Sequence, residues 1–183
     1  RVIDLFSGMG SVAESLQDTA SVVTNDAMSF TAALSRARFT GSDRKTTPAE
    51  IVDRLEPAYE LRLRELELVY SSELSKENAA LEGARTDLLA YMDNAQHVGN
   101  STIQRRLAKA AAVSSGSDHY SLASLYFSAG YLSLRQAVQV DAVRSAIDAD
   151  STLEDRDWLL SAWIAATSVL VNAPGHTAQF LRP

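Results

Sequence analysis

Apolar residues follow two different rhythms along this chain. Val2, Ile3, Leu5 and Phe6 form a short run, β-branched at its start, and Ser7-Gly8-Met9-Gly10 breaks it. This predicts a strand entering a tight glycine turn. Ser11–Leu16 then reads as a helix, and Ser21–Thr24 as a second short strand ending at Asn25 and Asp26. In the stretch 27–38, Phe30, Ala33, Leu34 and Ala37 fall on one face of a further helix. Residues 2–38 therefore read β-α-β-α, the start of a doubly wound sheet.

Beyond a loop at Thr40–Pro48 the spacing becomes helical throughout. Thr47 is placed as an N-cap, with Pro48 at the first helical position and Glu50 completing a capping box. Leu55, Tyr59, Leu63, Leu66, Tyr70, Leu74 and Leu81 recur at helical intervals up to about Asn94, and Pro57 is expected to kink that helix or restart it. A turn at His97–Ser101, a helix over 102–113 capped by Asn100 or Ser101, and a loop at Ser114–Asp118 follow. Mixed apolar and aromatic residues then run through a bend near Gly130 into a helix at Gln139–Ala149. Thr152, with Asp155 three residues on, caps a last helix to about Asn172, which ends in a Pro-Gly turn.

The expected fold is thus α/β, a partial Rossmann-like sheet with a large all-helical insertion. Residues 1–47 would form the cofactor-binding part, 48–117 the insertion, and 118–183 a helical continuation.

Composition narrows the field. Of the 183 residues 46% are hydrophobic and only four are proline, which fits a folded core. The formal charge of −6 disfavours a general nucleic-acid coat protein, although it leaves room for one local basic surface. With no cysteine, disulfides and thiolate metal sites are excluded, as suits a cytosolic protein. No secretory signal is visible. The apolar stretch Trp158–Val171 is shorter than the roughly 20 residues that cross a bilayer, so a buried helix and no membrane partner are expected.

Candidate chemistry centres on the glycine turn. Phe6-x-Gly8-x-Gly10 after a strand is also compatible with a plain tight turn, but two acidic residues add to it. Asp4 sits inside an apolar strand, where a carboxylate is costly unless paired. Asp26 ends the second strand, where an acidic side chain can accept hydrogen bonds from ribose hydroxyls. A Walker lysine is missing after Gly10, and so is the third glycine of the dinucleotide pattern. His97, His119 and His176 are scattered without metal-ligand spacing, and Ser7 has no base near it in sequence. The basic stretch Gln104–Ala110 reads as a solvated helix face or a phosphate contact.

"DLFSGMGSVA" followed by "VVTNDAMSFTAALSRARFT" resembles the opening of the D12 class of adenine-specific DNA methyltransferases. "LYFSAGYLSLRQAVQVDAVRSAID" and "DRDWLLSAWIAATSVLVNAPGHTAQFLRP" resemble the region that precedes the catalytic motif in bacterial members. The resemblance implies methyl transfer from S-adenosylmethionine to the exocyclic amino group of adenine in double-stranded DNA, in the bacterial cytoplasm and in settings such as restriction–modification. It implies that Phe6, Ser7, Gly8, Met9 and Gly10 wrap the cofactor and that Asp26 holds its ribose hydroxyls. Asp4 would anchor the turn or the methionine ammonium, and Asn25 and Ala27 would flank the adenine. Tyr126, Tyr131 and Arg135 would lead toward DNA. The family's Asp-Pro-Pro-Tyr is absent, as is its N-terminal cofactor motif, so the sequence reads as an internal piece with no catalytic residue of its own. The remaining segments of a parent chain, or a second subunit, would complete it. The alternative is a non-catalytic helical interaction module that pairs with another chain. The insertion would then serve as a subunit contact, where the enzyme reading makes it a target-recognition element or lid.

Overall fold

The structure is a computed structural model that describes residues 1–39, 46–97, 121–150 and 153–171. Strands β1 (Val2–Asp4) and β2 (Val22–Thr24) pair in parallel, with Val2 beside Val22, Ile3 beside Val23 and Asp4 beside Thr24. Helix α1 (Ser11–Leu16) connects them and α2 (Ser29–Phe39) follows. The chain continues as α3 (Pro48–Val69), α4 (Ser71–Glu82), α5 (Arg85–His97), α6 (Leu122–Tyr126), α7 (Leu134–Asp150) and α8 (Leu153–Leu170).

The β-α-β-α order of the first 39 residues is the one the apolar pattern predicts. The partial Rossmann-like sheet expected from it is not found: among the described residues the sheet has two strands and the rest is mostly helical. Tertiary packing outweighs strand preference here. Even the β-branched Val138, Val140 and Val143 lie inside α7, where Val138 and Val140 are buried against other helices. The sheet accordingly keeps one open face. Ile3 and Val23, neighbours in the ladder, are 59% and 37% exposed.

The helical part is built on α3 lying along α7. Leu66, Tyr70 and Leu74 bury against Leu134, Val138 and Ala142, with Tyr59 and Leu63 packed beside them. These are the residues whose spacing predicted helix between 55 and 74. A second cluster joins Ala123, Leu132, Ala137 and Val140, backed by Trp163 of α8. The N-terminal unit docks onto these helices through α2 against α8. There Arg36 makes a bidentate pair with Asp157, Nε to Oδ2 and Nη2 to Oδ1 at 3.1 Å.

Local signals fix the start of α3. The Thr47 N–H donates to Glu50 Oε2 at 2.7 Å and the Glu50 N–H returns a bond to Thr47 Oγ1 at 3.3 Å, with Pro48 at the first turn. Pro57 neither ends nor restarts the helix, which runs unbroken through it. Its missing N–H frees the carbonyl of Asp53, and both residues are exposed, so water can serve that carbonyl. Helix α7 begins at Leu134, five residues before the expected Gln139. The elements expected at 98–118, the Thr152 cap and the turn after Asn172 lie outside the described residues.

Candidate functional site

At the carboxyl ends of β1 and β2 the chain makes the predicted glycine turn. Gly8 and Gly10 have φ of +49° and +83°, the left-handed region that side chains with a Cβ avoid. The turn closes through Gly10 N–H to the Ser7 carbonyl at 2.7 Å, and Gly10 becomes the N-cap of α1. The end of β2 holds it from below. Ser7 N–H donates to the Asn25 carbonyl at 3.0 Å, and Asn25 N–H to the Asp4 carbonyl at 2.8 Å. Asn25 Nδ2 donates to the Leu5 carbonyl at 3.3 Å.

Asp26 is the keystone of the corner. Its Oδ2 accepts the Gly8 N–H and its Oδ1 the Met28 N–H, each at 2.9 Å. The Met28 and Gly8 N–H groups favour the charged form and hold this carboxyl below the ordinary aspartate value. The Thr31 side chain and the Ala27 N–H act on it in the same direction.

The nine predicted cofactor residues are therefore brought together, but in unequal roles. Ser7 and Gly10 are buried in the turn, whereas Phe6 is 89% exposed and Met9 and Ala27 also face solvent. Space around Gly8 is open, with nothing within 4 Å of where a Cβ would stand, so a ligand can approach that backbone closely. Asp4 ties the strands with its main-chain carbonyl, and its Oδ2 is enclosed without a hydrogen-bond partner. A cavity of about 460 Å³ lies between β2, α1 and α2, with Ser7, Asn25 and Asp26 among its lining residues.

Tyr126, Tyr131 and Arg135 belong to a different part of the molecule, the corner between α6 and α7. Tyr126 is exposed, Tyr131 meets Phe127 edge to face at 5.8 Å, and Arg135 pairs with Glu67 of α3 at 3.7 Å. Two buried carboxylates brace that corner, and neither is anticipated from the sequence. Glu77 of α4 accepts the Leu134 and Arg135 N–H groups at 2.5 and 3.0 Å, capping α7 from outside. Asp141 of α7 accepts the Ala123 and Ser124 N–H groups at 2.9 and 2.8 Å and the Ser124 hydroxyl at 2.6 Å, capping α6. Burial raises the Asp141 carboxyl above the ordinary value, against the pull of those donors and of the Arg62 charge. The one sequence signal for them is an acidic residue on an otherwise apolar helical stripe, as Asp141 is between Val138 and Ala142.

Also unforeseen are two residues at the end of α2, Arg38 and Phe39, which grip the glycine turn from its other side. Among the described residues no group of three or more His, Asp or Glu could hold a metal ion, and no helix is long and apolar enough to cross a membrane.

No family model matches the chain, and neither the curated proteins nor the solved structures contain a match to it. The likeness to the D12 class therefore rests on the sequence stretches quoted above.

Proposed function

We propose that the corner formed by β1, the glycine turn and the end of β2 binds S-adenosylmethionine, as part of an adenine-specific DNA methyltransferase of the bacterial cytoplasm. The observation that carries this reading is the Asp26 carboxylate tying a turn of two left-handed glycines at the carboxyl ends of two parallel strands. In parallel α/β units, ligands bind outside those ends. The open space over Gly8 suits the close approach of a ribose, and the exposed Phe6 ring suits a flat or sulfonium-bearing group.

When bound, the cofactor supplies an electrophilic methyl group. What this chain contributes is binding and orientation: the turn fixes backbone donors, and Asp26 and Asn25 fix the turn. The chain has no Asp-Pro-Pro-Tyr, so contact with the adenine of double-stranded DNA needs residues from the rest of a parent chain or from a second subunit. Tyr126, Tyr131 and Arg135 remain candidates for DNA contact, on a face distinct from the turn.

A second reading, an interaction module that pairs with another chain, is favoured by the uncovered sheet face at Ile3 and Val23. Calorimetric titration with S-adenosylmethionine separates the two, with Asp26→Ala alongside and circular dichroism to check folding. Saturable binding that Asp26→Ala weakens at least tenfold supports the cofactor reading. A folded wild-type chain that takes up no heat of binding leaves the interaction module.

A further inference from the structure

The structure assigns Arg38, together with Phe39, the role of a clasp that holds the glycine turn in its binding shape. Three contacts converge there. Arg38 Nη1 donates to the carbonyl of Met9, inside the turn, at 3.2 Å. Its Nη2 pairs with Glu14 of α1, the helix that the turn opens. The same guanidinium lies over the Phe39 ring, 5.6 Å from its centroid. That ring in turn presses on the turn: a Cβ at Gly10 would stand 2.7 Å from Phe39 Cε2. The last two residues of α2 thus hold the Met9 carbonyl and fill the space beside Gly10.

Asp26 alone cannot set the turn. It fixes the Gly8 N–H, on the side of β2, and leaves Met9 and Gly10 to be held from elsewhere. Glycine loses more conformational freedom than any other residue when fixed, so a turn left loose charges that loss to whatever binds it. Arg38 removes part of the loss beforehand, because its planar fork serves a carbonyl and a carboxylate at once. A lysine in its place keeps the charge on a flexible stem but lacks the fork. Arg38 is therefore a positioning residue, acting through the turn.

The effect on affinity rests on the cofactor reading, while the effect on the turn itself does not, and the test separates them. Amide hydrogen exchange at Gly8 and Gly10 is measured in the ligand-free chain, and S-adenosylmethionine affinity by calorimetry, for wild type, Arg38→Met, Arg38→Lys and Glu14→Gln. Arg38→Met should speed exchange at Gly10 by about tenfold and weaken binding by a similar factor, at unchanged melting temperature. Arg38→Lys should recover part of both losses, and Glu14→Gln should cost about two- to threefold. Wild-type exchange at Gly10 in Arg38→Met overturns the clasp. If the wild-type chain binds no S-adenosylmethionine, the cofactor reading fails and the exchange rates still decide the clasp. Faster exchange with unchanged affinity overturns its positioning role.

Discussion

Gly8 and Gly10 look alike in the sequence and differ in what surrounds them. Both have positive φ, which costs an alanine about 1–2 kcal/mol. Only Gly10 is crowded, with the Phe39 ring where a Cβ would go, while Gly8 faces open space. Gly8→Ala should therefore lose about 1 kcal/mol of stability, and Gly10→Ala at least about 1 kcal/mol more from the overlap. Gly8→Asn should fall closer to wild type, because asparagine visits the left-handed region at less cost. Urea denaturation of the three variants checks this, and equal losses for Gly8→Ala and Gly10→Ala would contradict the crowding by Phe39. The turn was legible because glycines after an apolar run are a local signal. The crowding was not, since Phe39 enters from the far end of the next helix but one along the chain.

At the scale of elements the same division holds. The start of α3 was readable in four residues, since Thr47 and Glu50 complete their bonds with each other around Pro48. The start of α7 was readable only in part. Ser133 and Gln136 form a capping box of the same kind, Ser133 N–H to Gln136 Oε1 at 2.9 Å and Gln136 N–H to Ser133 Oγ at 3.1 Å. The second cap, Glu77, lies 57 positions away from Leu134. Apolar spacing alone placed this helix five residues late, at Gln139, because it passes over the polar pair Ser133 and Gln136 that marks the start. The two caps should differ in worth. Thr47 is exposed, and Thr47→Ala is expected to cost about 1 kcal/mol. Glu77 is only 2% exposed, so Glu77→Ala leaves the buried Leu134 N–H and the half-buried Arg135 N–H without this acceptor and should cost about 2–4 kcal/mol. Glu77→Gln keeps one acceptor and should fall between. Chemical denaturation orders these variants, and a Glu77→Ala loss no larger than that of Thr47→Ala would show that the cap contributes nothing beyond an exposed one.

For the whole molecule, the first 39 residues suggested a sheet that the other described residues do not continue, because their apolar positions recur at helical spacing and bury helix against helix. Two carboxylates in the two halves now give stability opposite dependences on pH. Asp26, in the turn, has its carboxyl below the ordinary 3.8. Its contribution is present above that value and is lost as pH falls through the lowered one. Asp141, in the helical half, has its carboxyl above 3.8 because burial outweighs its donors, with Ser124, Arg62 and the Tyr70 hydroxyl as the groups around it. Between 3.8 and that raised value the folded chain keeps a proton that the unfolded chain has released, so stability falls as pH rises through this window. The windows do not overlap, which makes the two groups separable. From about pH 4 to about pH 7 the stability gap between wild type and Asp141→Asn should narrow, while the gap to Asp26→Asn stays constant. Denaturation midpoints across that range measure both. A constant Asp141→Asn gap would mean that the Ala123 and Ser124 donors outweigh burial, with Asp141 charged in the fold throughout.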